Sequence, residues 1–77
     1  MNTNRLSRLI TKLRTKTVNH LPHIRAFITV FCIENDIECD TYEWDYIISY
    51  LWKKLPSMRA FFDDKEEFGM YMGEDLC

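Results

Sequence analysis

The sequence predicts a small all-α protein, a single domain built as a bundle of about four helices. Apolar residues recur at the three- and four-residue spacing of an amphipathic helix in successive segments. The 77 residues include only two glycines and two prolines to interrupt these segments. The composition, 47% hydrophobic and 14% aromatic, is that of a globular domain and not of a disordered segment.

The first helix is predicted over about residues 3–16, with Asn2 or Thr3 as its N-cap. Its apolar residues fall at i, i+3, i+4 and i+7 and form one stripe, which consists of Leu6, Leu9, Ile10 and Leu13. The segment NRLSRLITKLRTK within it holds five cations and no acid. Cations in the last turn suit the helix dipole.

The second helix is predicted over about residues 21–35, where Pro22 is tolerated in the first turn. Asn19 is the expected cap. One apolar stripe consists of Ile24, Phe27, Ile28 and Phe31, and the opposite side carries Ala26, Val30 and Ile33. A segment that is apolar on both sides is either a central buried helix or a strand. For residues 26–33 we favour the helix because helical patterns flank them.

The third helix is predicted over about residues 41–55, between a capping box formed by Asp40 with Glu43 and a stop at Pro56. One broad face is apolar and consists of Trp44, Ile47, Ile48, Leu51, Trp52 and Leu55. The opposite face carries Tyr42, Tyr46 and Tyr50 at i, i+4 and i+8. This helix therefore also has two sides to bury.

The fourth helix is predicted over about residues 57–72, with Ser57 as its cap and an apolar signal that continues to Met72. Asp64 with Glu67 forms an alternative cap for a separate turn within it. Gly69 and Gly73 weaken the end of this helix. Residues 73–77 are expected to fray, because terminal residues are poorly ordered unless something holds them.

The three cysteines, Cys32, Cys39 and Cys77, are an odd number and predict no disulfide framework. A reducing cytoplasm fits this cysteine content best. No apolar stretch approaches the roughly 18 residues that span a bilayer, and the N-terminus lacks the apolar core of a secretory signal. The sequence therefore predicts a cytoplasmic protein without a membrane segment.

Residues with nucleophilic or metal-binding side chains are too scattered in the sequence to predict an enzyme, a metal site or a cofactor. Zinc accepts histidine and cysteine, which occur here as His20, His23, Cys32 and Cys39. Closed zinc sites, however, usually pair cysteines two to four residues apart. No phosphate loop, dinucleotide fingerprint or calcium loop is present. A glycine-rich turn that could form an oxyanion hole is also missing.

Charge is divided unequally along the chain. Residues 1–25 hold six cations and no acid, whereas residues 26–77 hold four cations and twelve acids. The basic flank of the first helix, Arg5, Arg8, Lys12 and Lys16, permits three interpretations. It is the polar side of a bundle helix that meets an acidic surface, a nucleic-acid-binding element, or part of a mitochondrial presequence. We favour the first, because a nucleic-acid-binding domain is usually basic as a whole.

Surplus apolar surface predicts a protein–protein interaction module, with nucleic-acid binding as the alternative. The expected partner-binding residues are aromatic, as is typical of interface anchors; they are Tyr42, Tyr46, Tyr50 and Trp52. The tyrosine stripe and the unequal charge also predict a homodimer. In its short length, aromatic content and lack of catalytic motifs, the chain resembles small accessory proteins of bacteriophages. That resemblance implies binding to a host or partner protein.

Overall fold

The computed structural model describes residues 3–14 and 21–77, and within them the fold is all-α, as predicted. Helix α1 spans Thr3–Arg14, α2 spans Leu21–Glu34, α3 spans Tyr42–Lys54 and α4 spans Lys65–Met72. A 3₁₀-helix spans Pro56–Ala60 between α3 and α4. The strand alternative for residues 26–33 is wrong, because α2 includes all of them. The predictions for Asn2, Asn19, Lys16 and His20 lie outside the described residues.

One apolar core joins the four helices. Its buried side chains come from each helix and from the connection after α2; they are Leu6, Leu9, Leu13, Ile24, Ile28, Phe31, Cys32, Ile37, Trp44, Ile47, Ile48, Leu51, Phe68 and Met72. Burial of such side chains from each element supplies the main favourable free energy of folding. None of the described helices is both long and apolar enough to cross a bilayer.

The N-cap of helix α3 lies one residue later than predicted. Thr41 is the N-cap and its side chain accepts a hydrogen bond from the Trp44 amide at 3.3 Å. Asp40 instead occupies a left-handed backbone conformation with φ of 63°, so the predicted capping box of Asp40 and Glu43 is wrong. The carboxylate of Glu43 binds Arg5 of α1.

The segment predicted as one helix over residues 57–72 is two elements, so that prediction is wrong. Asp64 has an extended backbone, and its side chain accepts a hydrogen bond from the Glu67 amide at 2.9 Å. Because this cap starts α4 afresh, the apolar pattern before it belongs to the 3₁₀-helix and a short connection. Ser57 lies within that 3₁₀-helix, and the alternative cap at Asp64 is the one that forms.

The C-terminal residues are tied to the domain, contrary to the prediction that residues 73–77 fray. The amides of Leu76 and Cys77 both donate to the Gly73 carbonyl, at 2.9 and 2.8 Å. A disulfide joins Cys39 to Cys77 with a Cα–Cα distance of 6.1 Å. The prediction that the three cysteines form no disulfide framework is therefore wrong for this pair. A separation of 38 residues in sequence gave no sign that the fold would bring them together.

Candidate interaction surfaces

The outward side of α2 is apolar and exposed. Ala26, Val30 and Ile33 lie at i, i+4 and i+7, and we call them the outer α2 face. Val30 is 52% exposed and Ile33 is 65% exposed. The other side of the helix lies in the core. The expectation that both sides of this helix are apolar is thus confirmed, but α2 is not buried all round.

The tyrosine stripe of α3 is open at one end and covered at the other. Tyr42 and Tyr46 are exposed, with their ring centroids 6.3 Å apart. Tyr50 is half-buried, and the Lys54 Nζ lies 3.2 Å from its hydroxyl and 5.5 Å from its ring centroid. Two of the three tyrosines therefore offer their rings to a partner.

Trp52 is not brought together with the tyrosines. Its ring packs 5.5 Å from that of Phe68 on α4, in an aromatic cluster that also includes Phe62 and Tyr71. The Arg59 guanidinium lies 5.6 Å from the Trp52 ring centroid, and its Nε donates to the Trp52 carbonyl at 3.2 Å. The aromatic cluster, consisting of Trp52, Phe62, Phe68 and Tyr71, is thus an internal contact of α3 with α4 and with the connection before α4.

The basic flank of α1 meets the connection after α2 and the start of α3. Arg5 donates to the Glu43 carboxylate and to the Asn35 carbonyl. Its hydrogen bond to Glu43 raises the pKa of the guanidinium. Lys12 donates to the Asn35 side chain at 3.0 Å. Arg8 is exposed, whereas Arg5 and Lys12 are hydrogen-bonded to other residues of the chain. The described cations therefore do not form one uniform surface for a ligand.

A groove between α3 and α4 was missed by sequence reasoning. Its volume is about 590 Å³, and we call it the α3–α4 groove. Gly69 of α4 and Gly73, the C-cap of that helix, both line it and lie on the same side because they are four residues apart. At Gly73 a Cβ would lie 2.9 Å from the Cys77 Sγ and 3.1 Å from the Trp44 ring. The glycine spacing was the available signal, but in the sequence it indicated only a weak helix end.

The cysteines do not assemble into a metal or nucleophilic site among the described residues. No three His, Cys, Asp or Glu side chains come together there as metal ligands. Cys39 is bonded to Cys77. Burial raises the pKa of the Cys32 thiol to about 11, and a buried thiol of this kind is unreactive.

Comparison with protein-family models, with curated proteins and with solved structures finds no match to this chain. Its function must therefore be inferred from its own surfaces.

Proposed function

We propose that this chain is a non-enzymatic interaction module that binds a partner protein through the outer α2 face. The supporting observation is the exposure of Val30 and Ile33 on one side of one helix. Contiguous exposed apolar side chains mark interaction sites, and Val30 and Ile33 are neighbours on the helix surface because they are three residues apart. The i, i+4, i+7 spacing is the one by which a helix contacts a groove or a second helix. A small phage-type accessory protein that modulates a host protein would use such a surface.

Removal of the apolar side chains from this face is expected to abolish partner binding. The test is the paired substitution Val30→Ser with Ile33→Ser, compared with the wild type in affinity capture from the native source. We expect recovery of the stoichiometric partner to fall at least about tenfold, as for loss of a hot spot. Phe61→Ser is the matched control, because Phe61 is 65% exposed, as Ile33 is. Equal recovery with both variants would contradict the proposal, provided that circular dichroism shows both to be folded.

We also propose that the chain forms a homodimer through the exposed end of the tyrosine stripe. Tyr46→Glu is expected to shift the protein to monomer, because a carboxylate buried in that contact would lack a partner. Tyr46 is 43% exposed, so the substitution leaves the core intact. Light scattering measures the mass, and circular dichroism checks the fold. A folded wild-type monomer at concentrations of roughly tens of micromolar would refute the dimer, since an interface of about 800 Å² per partner is typically stable there.

The alternative function, nucleic-acid binding, has weaker support. It would use Arg5, Arg8, Lys12 and Lys16, of which Lys16 lies outside the described residues. Arg5 and Lys12 already donate to residues of this chain, and phosphate contacts would have to displace those bonds. We therefore favour a protein partner.

A cytoplasmic location stays a proposal that rests on the odd number of cysteines. The Cys39–Cys77 disulfide weighs against it, because such bonds are rare in the cytosol. Trapping the thiols by alkylation in intact cells, followed by mass determination of the protein, tests the location. Reduced Cys39 and Cys77 would support the cytoplasm, and a fully oxidised pair would count against it.

A further inference from the structure

We infer that the α3–α4 groove is a docking site for a basic amphipathic helix of a partner protein. The groove lies on different helices from the outer α2 face. Binding at the groove is therefore independent of binding at that face.

The groove has the size and the lining of a binding site. Its volume of about 590 Å³ falls in the range of roughly 300–1,000 Å³ that is usual for ligand sites. Trp44 and Ile48 form an apolar floor, and they are 7% and 3% exposed. Met70 forms a wall and is 77% exposed. Methionine is flexible and polarizable, so it adapts to the side chains of a bound helix.

The rim of the groove is acidic. Its acids are Asp40, Asp45, Glu66 and Glu74, and Lys65 is the cation among the lining residues. Lys65 is held 3.2 Å from the Asp45 carboxylate and 3.0 Å from the Ser49 hydroxyl. The carboxylate of Glu74 lies 2.7 Å from Arg25.

Two of the rim acids remain for a ligand. Asp40 and Glu66 are exposed and make no ion pair with any residue that the structure describes. Lysine or arginine side chains of a partner can therefore pair with them, which steers binding. Nucleic acid or an acidic peptide would be repelled by the same rim. An apolar floor inside an acidic rim thus fits a segment that carries apolar residues on one side and cations at the edges.

A second copy of this chain is a poor occupant of the groove. Its basic helix, α1, already turns its apolar stripe inward, because Leu6, Leu9 and Leu13 are buried in the core. To place that stripe in another molecule's groove, α1 would have to leave its own bundle. The occupant is therefore a helix of a different protein.

A synthetic amphipathic peptide tests the inference directly. The probe is LKKLLKLLKKLLKL, titrated into the ¹⁵N-labelled full chain, with LEELLELLEELLEL as its acidic counterpart. We expect the lysine peptide to shift the amide resonances of Gly69 and Gly73 and the indole resonance of Trp44. The glutamate peptide should shift none of them. Shifts confined to other residues, or no shift at millimolar peptide, would overturn the inference.

Two pairs of variants separate docking in the groove from attraction by net charge. Glu66→Lys changes the rim, whereas Glu34→Lys makes the same charge change on α2, where Glu34 is exposed and does not line the groove. Met70→Ser removes the wall, and Phe61→Ser is its exposed apolar control. We expect the two groove variants to weaken peptide binding at least about fivefold and the controls to change it less than about twofold, as for rim and centre positions elsewhere. Equal losses with Glu34→Lys and Glu66→Lys would show attraction by net charge alone and would refute the site.

Discussion

Phe68→Ala is expected to lower the free energy of unfolding by about 3–5 kcal/mol. Phe68 has no exposed surface, and its ring centroid lies 5.5 Å from those of Trp52 and Phe62. Replacing a buried phenylalanine by alanine typically costs about 3–5 kcal/mol, because transfer free energy is lost and a cavity remains. That cost equals roughly the whole net stability, about 3–5 kcal/mol, that a single core supplies in a domain of this size.

The predicted loss is specific to the position of Phe68 in the aromatic cluster. Phe61→Ala removes the same side chain from a site that is 65% exposed, and we expect a change within about 0.5 kcal/mol. Phe68→Leu keeps much of the volume and should cost less than about 1.5 kcal/mol. Urea denaturation followed by circular dichroism measures all three. A Phe68→Ala protein with the midpoint of Phe61→Ala would show that the cluster contributes little to stability.

Local patterns were sufficient to predict the first three helices and most of the core. Leu6, Leu9 and Leu13 are buried as their spacing indicated, because an amphipathic helix has only one way to hide its apolar stripe. The same reasoning identified the second apolar side of α2. The spacing alone does not predict that this side is exposed to solvent, since exposure depends on which elements lie beside α2 in the fold.

Features that local patterns leave undecided were beyond prediction. The boundary at Asp64 depends on which of two caps forms, and the sequence offered both. The groove and the disulfide depend on how α4 lies against α3. Gly73 allows that close approach, because a side chain there would collide with Cys77 and Trp44. Without knowledge of the contact between α4 and α3, the two glycines and the terminal cysteine indicate only a helix end that frays.

Loss of the Cys39–Cys77 bond is expected to destabilise the protein nearly as much as loss of Phe68. The bond joins residues 38 apart, and in the chain-entropy treatment a loop of that length contributes about 4 kcal/mol by restricting the unfolded chain. Engineered and native bridges commonly give about 2–4 kcal/mol. For a domain of this size, such a loss lowers Tm by about 8–30 °C.

Cys39→Ser and reduction of the wild type are expected to give the same lowered Tm. Thermal unfolding with and without dithiothreitol measures the Tm. Cys39→Ser is also the control for the reductant, because this variant has no disulfide to break and its Tm should not change. Cys32 does not exchange with the bond while the protein is folded. Burial raises the pKa of its thiol to about 11, and exchange with a disulfide requires the thiolate. A wild-type Tm that reductant leaves unchanged would mean that the bridge adds nothing to stability. A lowered Tm would show that the stability of this domain depends on the redox state of the compartment in which it works.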